Sequence, residues 1–243
     1  MMAPDAGPVA LLSKPKLVAP LWHTMGLLLL LLGITLGGFR MQSWSPAGSD
    51  SGKQHAGNVI LYLSVIASEW ALFCYVWLGG LRRGATRLRD LIGGRWRNTK
   101  DILLDIAVAA GFWVVWTAAA VFMNFVVGPS QVERLGFLKP QGLVEVTLWV
   151  MMSVTAGFCE ELVFRGYLQA QFLGLTGRAA LAVLAQAVVF GVSHLYQGVK
   201  QVIVITVLGI LFGLLAHWRK SLRPGMISHA WSDILNVIPI RFP

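Results

Sequence analysis

Residues 102–127 have the sequence ILLDIAVAAGFWVVWTAAAVFMNFVV, an apolar run in which Asp105, close to its start, is the single ionisable side chain. A helix needs about 20 such residues to cross the hydrocarbon core of a bilayer. The run therefore predicts a transmembrane helix. Comparable apolar runs lie at residues 17–39, 59–78, 143–172, 179–196, 201–217 and 222–238. The predicted fold is all-α, a polytopic transmembrane helical bundle of about seven membrane helices.

The composition of the whole chain indicates that lipid is its solvent. Hydrophobic residues make up 56% of the 243 residues and charged residues 13%, and the mean hydropathy is +0.67. A soluble domain carries about 25% charged residues. Because so little charge cannot cover a globular surface in water, we expect an integral, multi-pass membrane protein. The first apolar run is long for a signal peptide and is expected to be a retained helix.

The basic residues predict the topology. The formal net charge is +9, and residues 79–100 hold seven Lys and Arg. A second basic cluster, Arg219, Lys220 and Arg223, follows the apolar run at 201–217. The positive-inside rule places both segments in the cytoplasm, and a count of seven helices puts them on the same side. Because these cations flank apolar runs and form no single stripe, the partner they predict is the lipid bilayer and no nucleic acid.

Three charged residues enter the apolar run at 143–172, namely Glu160, Glu161 and Arg165. Each costs roughly 2.5–3.5 kcal/mol near the bilayer centre, so such residues are expected to be functional. Glu161 and Arg165 are four residues apart and can pair on one helical face. Glu160 points about 100° away from Glu161 and has no equally well-placed cation. A carboxylate in this environment suits a general base.

Two histidines follow in later apolar runs. His194 comes four residues after Phe190, and His229 comes four residues before Asp233, so each pair shares a helical face. If residues 173–177 form a tight turn, helix length places Glu160 and His194 at similar depth. The same measure does not bring His229 to them. Glu69, within the run at 59–78, is consistent with either a helix-packing hydrogen bond or a functional role.

These segments resemble the motifs of the CPBP intramembrane protease family, which includes type 2 CAAX prenyl proteases, lysostaphin resistance protein A-like proteins and bacteriocin-processing proteins. The family pattern is a Glu-Glu-x-x-x-Arg helix, a Phe-x-x-x-His helix and a His-x-x-x-Asn/Asp helix. The resemblance covers about residues 143–236. It implies a membrane domain in two parts, with N-terminal helices and the basic cytoplasmic loop at 1–142 and a catalytic helical region at 143–243.

The resemblance also implies an intramembrane endopeptidase whose catalytic residues are Glu160, His194, His229 and Asp233. Glu160 and His194 would activate a water molecule, and His229 with Asp233 would stabilise the oxyanion. The remaining matched positions, Glu161, Arg165 and Phe190, would be supporting residues. The implied substrate is a membrane-embedded or lipid-anchored protein or peptide, and the implied location is the plasma membrane of a bacterium.

One departure from the family pattern concerns Asp233, where many relatives have Asn. An ionised Asp cannot donate a hydrogen bond to an oxyanion, so Asp233 would either be protonated or act by orienting His229. Asn236, about one turn further on, could substitute as the donor. A metal-dependent mechanism is also possible, because Glu160, His194, His229 and Asp233 are of the residue types that bind zinc. No His-Glu-x-x-His segment is present in the sequence. Both a mechanism that needs no cofactor and a divalent metal such as zinc remain compatible with the sequence.

Two further functions fit the same features. A non-enzymatic membrane binding or bacteriocin-immunity protein could use the same scaffold, although the complete set of catalytic residue types favours an enzyme. A transporter or proton relay could also use intramembrane Glu and His. The chain has no internal repeat of the kind found in many transporters, which disfavours this second alternative.

Overall fold

The fold is a bundle of helices, seen in a computed structural model that describes residues 16–43, 51–82, 87–128 and 139–235. No strand occurs within these ranges. The α-helices are α1 (Leu21–Ser43), α2 (Ser51–Tyr75), α3 (Leu88–Ile92), α4 (Thr99–Val127), α5 (Gly142–Glu160), α6 (Gln169–Thr176), α7 (Ala179–Ser193), α8 (Val199–Arg219) and α9 (Arg223–Leu235). Two π-helical segments, Val76–Leu81 and Glu161–Leu168, continue α2 and α5.

Five helical stretches in the described part of the chain are long and apolar enough to cross a membrane. They are Leu21–Arg40, His55–Leu81, Thr99–Val127, Gly142–Thr176 and Val199–Arg219. A shorter apolar helix, Ala179–Ser193, and the short α9 complete the bundle. Large apolar side chains cover its outside, with Phe125 85% and Leu143 82% exposed. Such a surface is stable in lipid and not in water, so this is an integral membrane protein, as the composition predicts.

The second π-helical segment lies at the centre of the molecule. All eight of its residues, from Glu161 to Leu168, are buried. Leu162, Phe164 and Leu168 pack in one apolar cluster with side chains of α1, α2, α7 and α8. Because α5, this segment and α6 form one continuous helical stretch of 35 residues, the charged motif is held in the most tightly enclosed part of the fold. π-Helical turns are rare and occur often at functional sites.

A tight turn reverses the chain between α6 and α7. Gly177 adopts a left-handed conformation, with φ of 66°, and its N–H donates to the carbonyl of Leu173. Helices α6 and α7 therefore pack as an antiparallel hairpin, as the sequence predicts. However, α7 ends at Ser193, so His194 caps the helix and the run predicted at 179–196 is broken by the 3₁₀ turn Leu195–Gln197.

The two basic segments lie together at one end of the bundle. Nη2 of Arg219 donates to Oδ1 of Asp105 at 3.0 Å, and Arg223 lies 3.6 Å from the same carboxylate. The Leu222 N–H donates to the carbonyl of Ile92 at 3.2 Å. This end therefore ties the loop after α2 to the start of α9, which agrees with the prediction that both basic segments share one side of the membrane.

Candidate active site

Helix α9 brings His229 to α5 through an unusually close helix crossing. A Cβ atom added at Gly157 would lie 2.8 Å from the carbonyl oxygen of Met226 and 2.9 Å from the backbone nitrogen of Ala230. A Cβ atom at Gly225 would lie 2.9 Å from Oε2 of Glu161. Small residues allow membrane helices to approach in this way. The two glycines thus set the depth at which the imidazole of His229 meets the charged motif of α5.

The imidazole of His229 lies among three carboxylates. Its Nδ1 is 3.2 Å from Oε1 of Glu161, and its Nε2 is 3.7 Å from both Oε2 of Glu160 and Oδ2 of Asp233. Glu161 is 1% exposed, whereas Glu160 and His229 each keep 13% of their side-chain surface exposed and Asp233 keeps 32%. The site is therefore closed on the side of Glu161 and opens on the side of Glu160 and Asp233.

Arg165 supports Glu161 from within the core. Its Nη1 lies 2.9 Å from Oε1 of Glu161, and its side chain is fully buried. The guanidinium lies over the rings of Phe190, at 4.2 Å, and Phe212, at 5.1 Å. Its N–H bonds are not aligned on the carboxylate as hydrogen bonds, so the contact is an ion pair held by two cation–π interactions. The pairing of Glu161 with Arg165 that the spacing predicts is confirmed.

Two tryptophans that belong to none of the three motifs hold α9 in place. Nε1 of Trp149 donates to the carbonyl of Asp233 at 2.9 Å. Nε1 of Trp116 donates to Oγ of Ser232 at 2.7 Å. Together they tie α9 to both α5 and α4 on either side of the His229–Asp233 pair. Nothing in the local sequence distinguishes these indoles from the other tryptophans, because their partners are far away along the chain.

His194 is fixed by its own helix and not by Glu160. Its Nδ1 lies 2.8 Å from the carbonyl oxygen of Phe190, so the tautomer that forms this bond carries its proton on Nδ1 and leaves the Nε2 lone pair free. The ring packs edge-on against Phe190 and stacks on Tyr196, with centroid distances of 4.9 and 6.1 Å. Among the described residues, no ion pair joins His194 to a carboxylate. It reaches the His229 cluster through the ring of Phe190, whose centroid is 6.4 Å from that of His229.

The structure thus brings together a different set of predicted residues from the set that helix lengths indicate. Glu160, Glu161 and Asp233 all meet at His229, which helix length alone did not bring to the site. The prediction that Glu160 points away from Glu161 and toward other partners is wrong, since both carboxylates reach the imidazole of His229. Asn236, the suggested substitute donor, lies outside the described residues.

The positions of the possible ligand atoms test the hypothesis that the site binds zinc. Zinc needs at least three protein ligands that converge on one point. Among the residues that the structure describes, no three His, Cys, Asp or Glu side chains are placed to do this. Glu160, His194, His229 and Asp233 therefore do not form, in this arrangement, the zinc site that the sequence left open.

Comparison with known proteins bears on the same part of the chain. Neither the comparison with curated proteins nor that with solved structures found a match. A family model does match, over the α5 to α9 region that contains Glu160, His194 and His229. Residues 142–235 are similar to the family described as type II CAAX prenyl endopeptidase Rce1-like, which confirms the resemblance predicted from the three motifs.

Proposed function

We propose that the protein is an intramembrane endopeptidase that hydrolyses peptide bonds of membrane-associated proteins or peptides, in the manner of the CAAX-type proteases. The observation that carries this proposal is the contact of His229 with Glu160 and Glu161, which joins two of the three motifs in one site. The family match over residues 142–235 supports the same reaction class.

In this proposal Glu160 is the general base. The side chain of Glu160 keeps 13% of its surface exposed, and its Oε2 has no hydrogen-bond partner among the described residues, so a lone pair is free to accept a proton from water. His194, with its Nε2 unoccupied, would hold that water from the other side. The water oxygen attacks the scissile carbonyl carbon as its proton passes to Glu160. Collapse of the tetrahedral intermediate then expels the amine, which takes this proton from Glu160.

His229 would stabilise the oxyanion. With Nδ1 bound to Glu161, a protonated ring directs its Nε2–H toward the opening beside Glu160 and Asp233. A donor placed there stabilises negative charge that develops on the carbonyl oxygen. Asp233, 3.7 Å from Nε2, would favour the protonated ring and need not donate a hydrogen bond itself. Glu161 and Arg165 would hold the ring in this orientation.

The substrate class follows from the surroundings of the site. The bundle is apolar on its outside, so a substrate that reaches Glu160 laterally would itself be membrane-embedded or lipid-anchored. We place the protein in the plasma membrane of a bacterium, in line with the bacteriocin-processing proteins that its motifs resemble.

The test is cleavage by purified protein in proteoliposomes containing a library of quenched fluorescent transmembrane and lipidated peptides. We expect wild type to cleave some members and Glu160→Gln to cleave none. Glu145→Gln is the matched control, because Glu145 is a buried glutamate of the same helix that bonds with His55 at the far end of α5. A folded Glu160→Gln protein that cleaves at the wild-type rate would refute the assignment.

A further inference from the structure

Glu69 lies on the inward face of α2, although no family motif includes it. The buried residues Asn58, Tyr62 and Leu72 of α2, and Val76 at the start of the π-helical segment that continues it, follow one another at spacings that return to the same side of a helix. Glu69 falls on that stripe, seven residues after Tyr62 and seven before Val76. The carboxyl group is therefore directed into the bundle and not toward lipid.

Ring contacts between α2 and α5 place Glu69 at the depth of the candidate site. The ring of Tyr62 meets that of Trp149 at 5.6 Å, and the ring of Trp70 meets that of Phe158 at 5.9 Å. The two helices run in the same direction, so Glu69 lies opposite the residues just before Phe158. It is thus about one helical turn from Glu160 along the bundle axis.

At this depth Glu69 interacts electrostatically with the site without touching a cation. The titratable groups that interact with it electrostatically are Glu160, His229, Asp233, Cys159 and Tyr196. Its Oε2 is screened from solvent and has no hydrogen-bond partner among the described residues. By contrast, Glu160, Glu161 and Asp233 each contact His229. Glu69 is therefore the acid of this group whose charge is least compensated.

The cations of the cluster are too few for its acids. Among the described residues, Arg165 pairs with Glu161, while His229 contacts Glu160, Glu161 and Asp233 and also interacts with the carboxyl group of Glu69. An isolated carboxylate inside an apolar protein is so costly that it takes up a proton instead. Glu69, the acid that contacts no cation among the described residues, is therefore the one expected to take up a proton.

We propose that Glu69 is a positioning residue of this site, a neutral carboxyl group that holds a proton and thereby allows Glu160 to remain ionised beside His229. Glu69 acts through Glu160. A neutral Glu69 does not repel the negative charge of Glu160, and the O–H of Glu69 can donate a hydrogen bond toward the Glu160 carboxylate. The role in catalysis rests on the proposed peptidase function. The protonation state of Glu69 does not depend on that function, because it follows from the packing of α2 against α5.

Infrared spectroscopy of the purified protein tests the protonation state directly, since the C=O stretch of a protonated carboxyl is resolved from the bands of ionised carboxylates. At neutral pH we expect wild type to show this band, Glu69→Gln to lose its intensity, and Glu145→Gln to keep it. Glu145 is also buried, but it bonds with His55 and with the backbone N–H of Gln141. A wild-type spectrum without the band, or a band unchanged in Glu69→Gln, would overturn the proposal. If Glu69→Gln does not fold, Glu69→Leu is the second variant that must lose the band.

Cleavage assays then test the link to Glu160. Gln and Leu are both uncharged, but only Gln can donate a hydrogen bond as a protonated carboxyl group does. We expect Glu69→Leu to lose about tenfold more activity than Glu69→Gln, as for a one-unit change in the proton affinity of a neighbouring base. Equal rates for the two folded variants would exclude the positioning role. If wild type cleaves no substrate, the peptidase proposal fails while the infrared result still decides the state of Glu69.

Discussion

Nε2 of His229 lies 3.7 Å from Oε2 of Glu160. The other nitrogen of the same ring meets Glu161, the next residue in the chain. Successive side chains of an α-helix diverge by about 100°, so a ring can contact two adjacent carboxylates only if its own helix lies very close to theirs. Helix α9 does so by crossing α5 at Gly157, directly beside the start of the π-helical segment. The two acids can then have separate functions, Glu161 holding the ring and Glu160 facing the opening.

Replacement of His229 tests the oxyanion role. We expect His229→Ala to lower kcat by about 10²–10³-fold, the usual cost of removing one oxyanion donor. The loss should fall mainly on kcat, because the interaction forms in the transition state and not with the bound substrate. Steady-state kinetics in proteoliposomes measure the change. An effect confined to KM would assign His229 to substrate binding.

The Gly157 crossing predicts a steric effect on the site. Even the methyl group of Gly157→Ala would meet backbone atoms of α9, and overpacking of this kind costs about 1–3 kcal/mol. We expect a lower melting temperature and reduced cleavage, because α9 must move away from α5 and take His229 with it. Gly111→Ala is the control, since a Cβ atom at Gly111 meets nothing within 4 Å. Similar behaviour of the two variants would mean that the crossing does not position His229.

The sequence predicts the parts of this protein that depend on helix geometry alone. Apolar runs mark the membrane helices, and four-residue spacing predicts the pairs Glu161–Arg165 and His229–Asp233, which the structure contains. The bond between His194 and the carbonyl of Phe190 follows from the same spacing. Each of these contacts lies within one or two helical turns, where the backbone fixes the distance.

Contacts between distant segments could not be predicted in the same way. The sequence measures the depth of Glu160 along an apolar run that ends at residue 172, but the helical stretch continues to Thr176 and has 35 residues. At 1.5 Å per residue it is about 52 Å long, well beyond a hydrocarbon core of about 30 Å. Distance along this helix therefore does not measure depth. The ring of Phe212 beside His229, at 5.4 Å, depends on tertiary packing that has no local sequence pattern.

The buried ion pair of Glu161 and Arg165 predicts a large, one-sided effect on stability. Arg165→Met leaves Glu161 buried beside apolar rings, and breaking a buried pair in this way costs about 3–5 kcal/mol. We expect the double variant Glu161→Gln/Arg165→Met to recover most of the melting temperature, because it removes both charges. It should nevertheless stay inactive, since a neutral amide in place of the Glu161 carboxylate would no longer fix a protonated His229. Recovery of activity along with stability would show that Glu161 has no role beyond the pair.

Removal of metal separates the two mechanisms that the sequence left open. In the described part of the chain no three His, Cys, Asp or Glu side chains are placed to hold one metal ion. A water held by Glu160 needs no metal to become a nucleophile, because the carboxylate accepts its proton during attack. We therefore expect EDTA and 1,10-phenanthroline to leave the cleavage rate unchanged, while a zinc peptidase treated in parallel loses its activity. Zinc added after dialysis should have no effect on the rate. Loss of cleavage that zinc restores would assign Glu160 to metal binding, and the arrangement of His194 and His229 would then have to change when the metal binds.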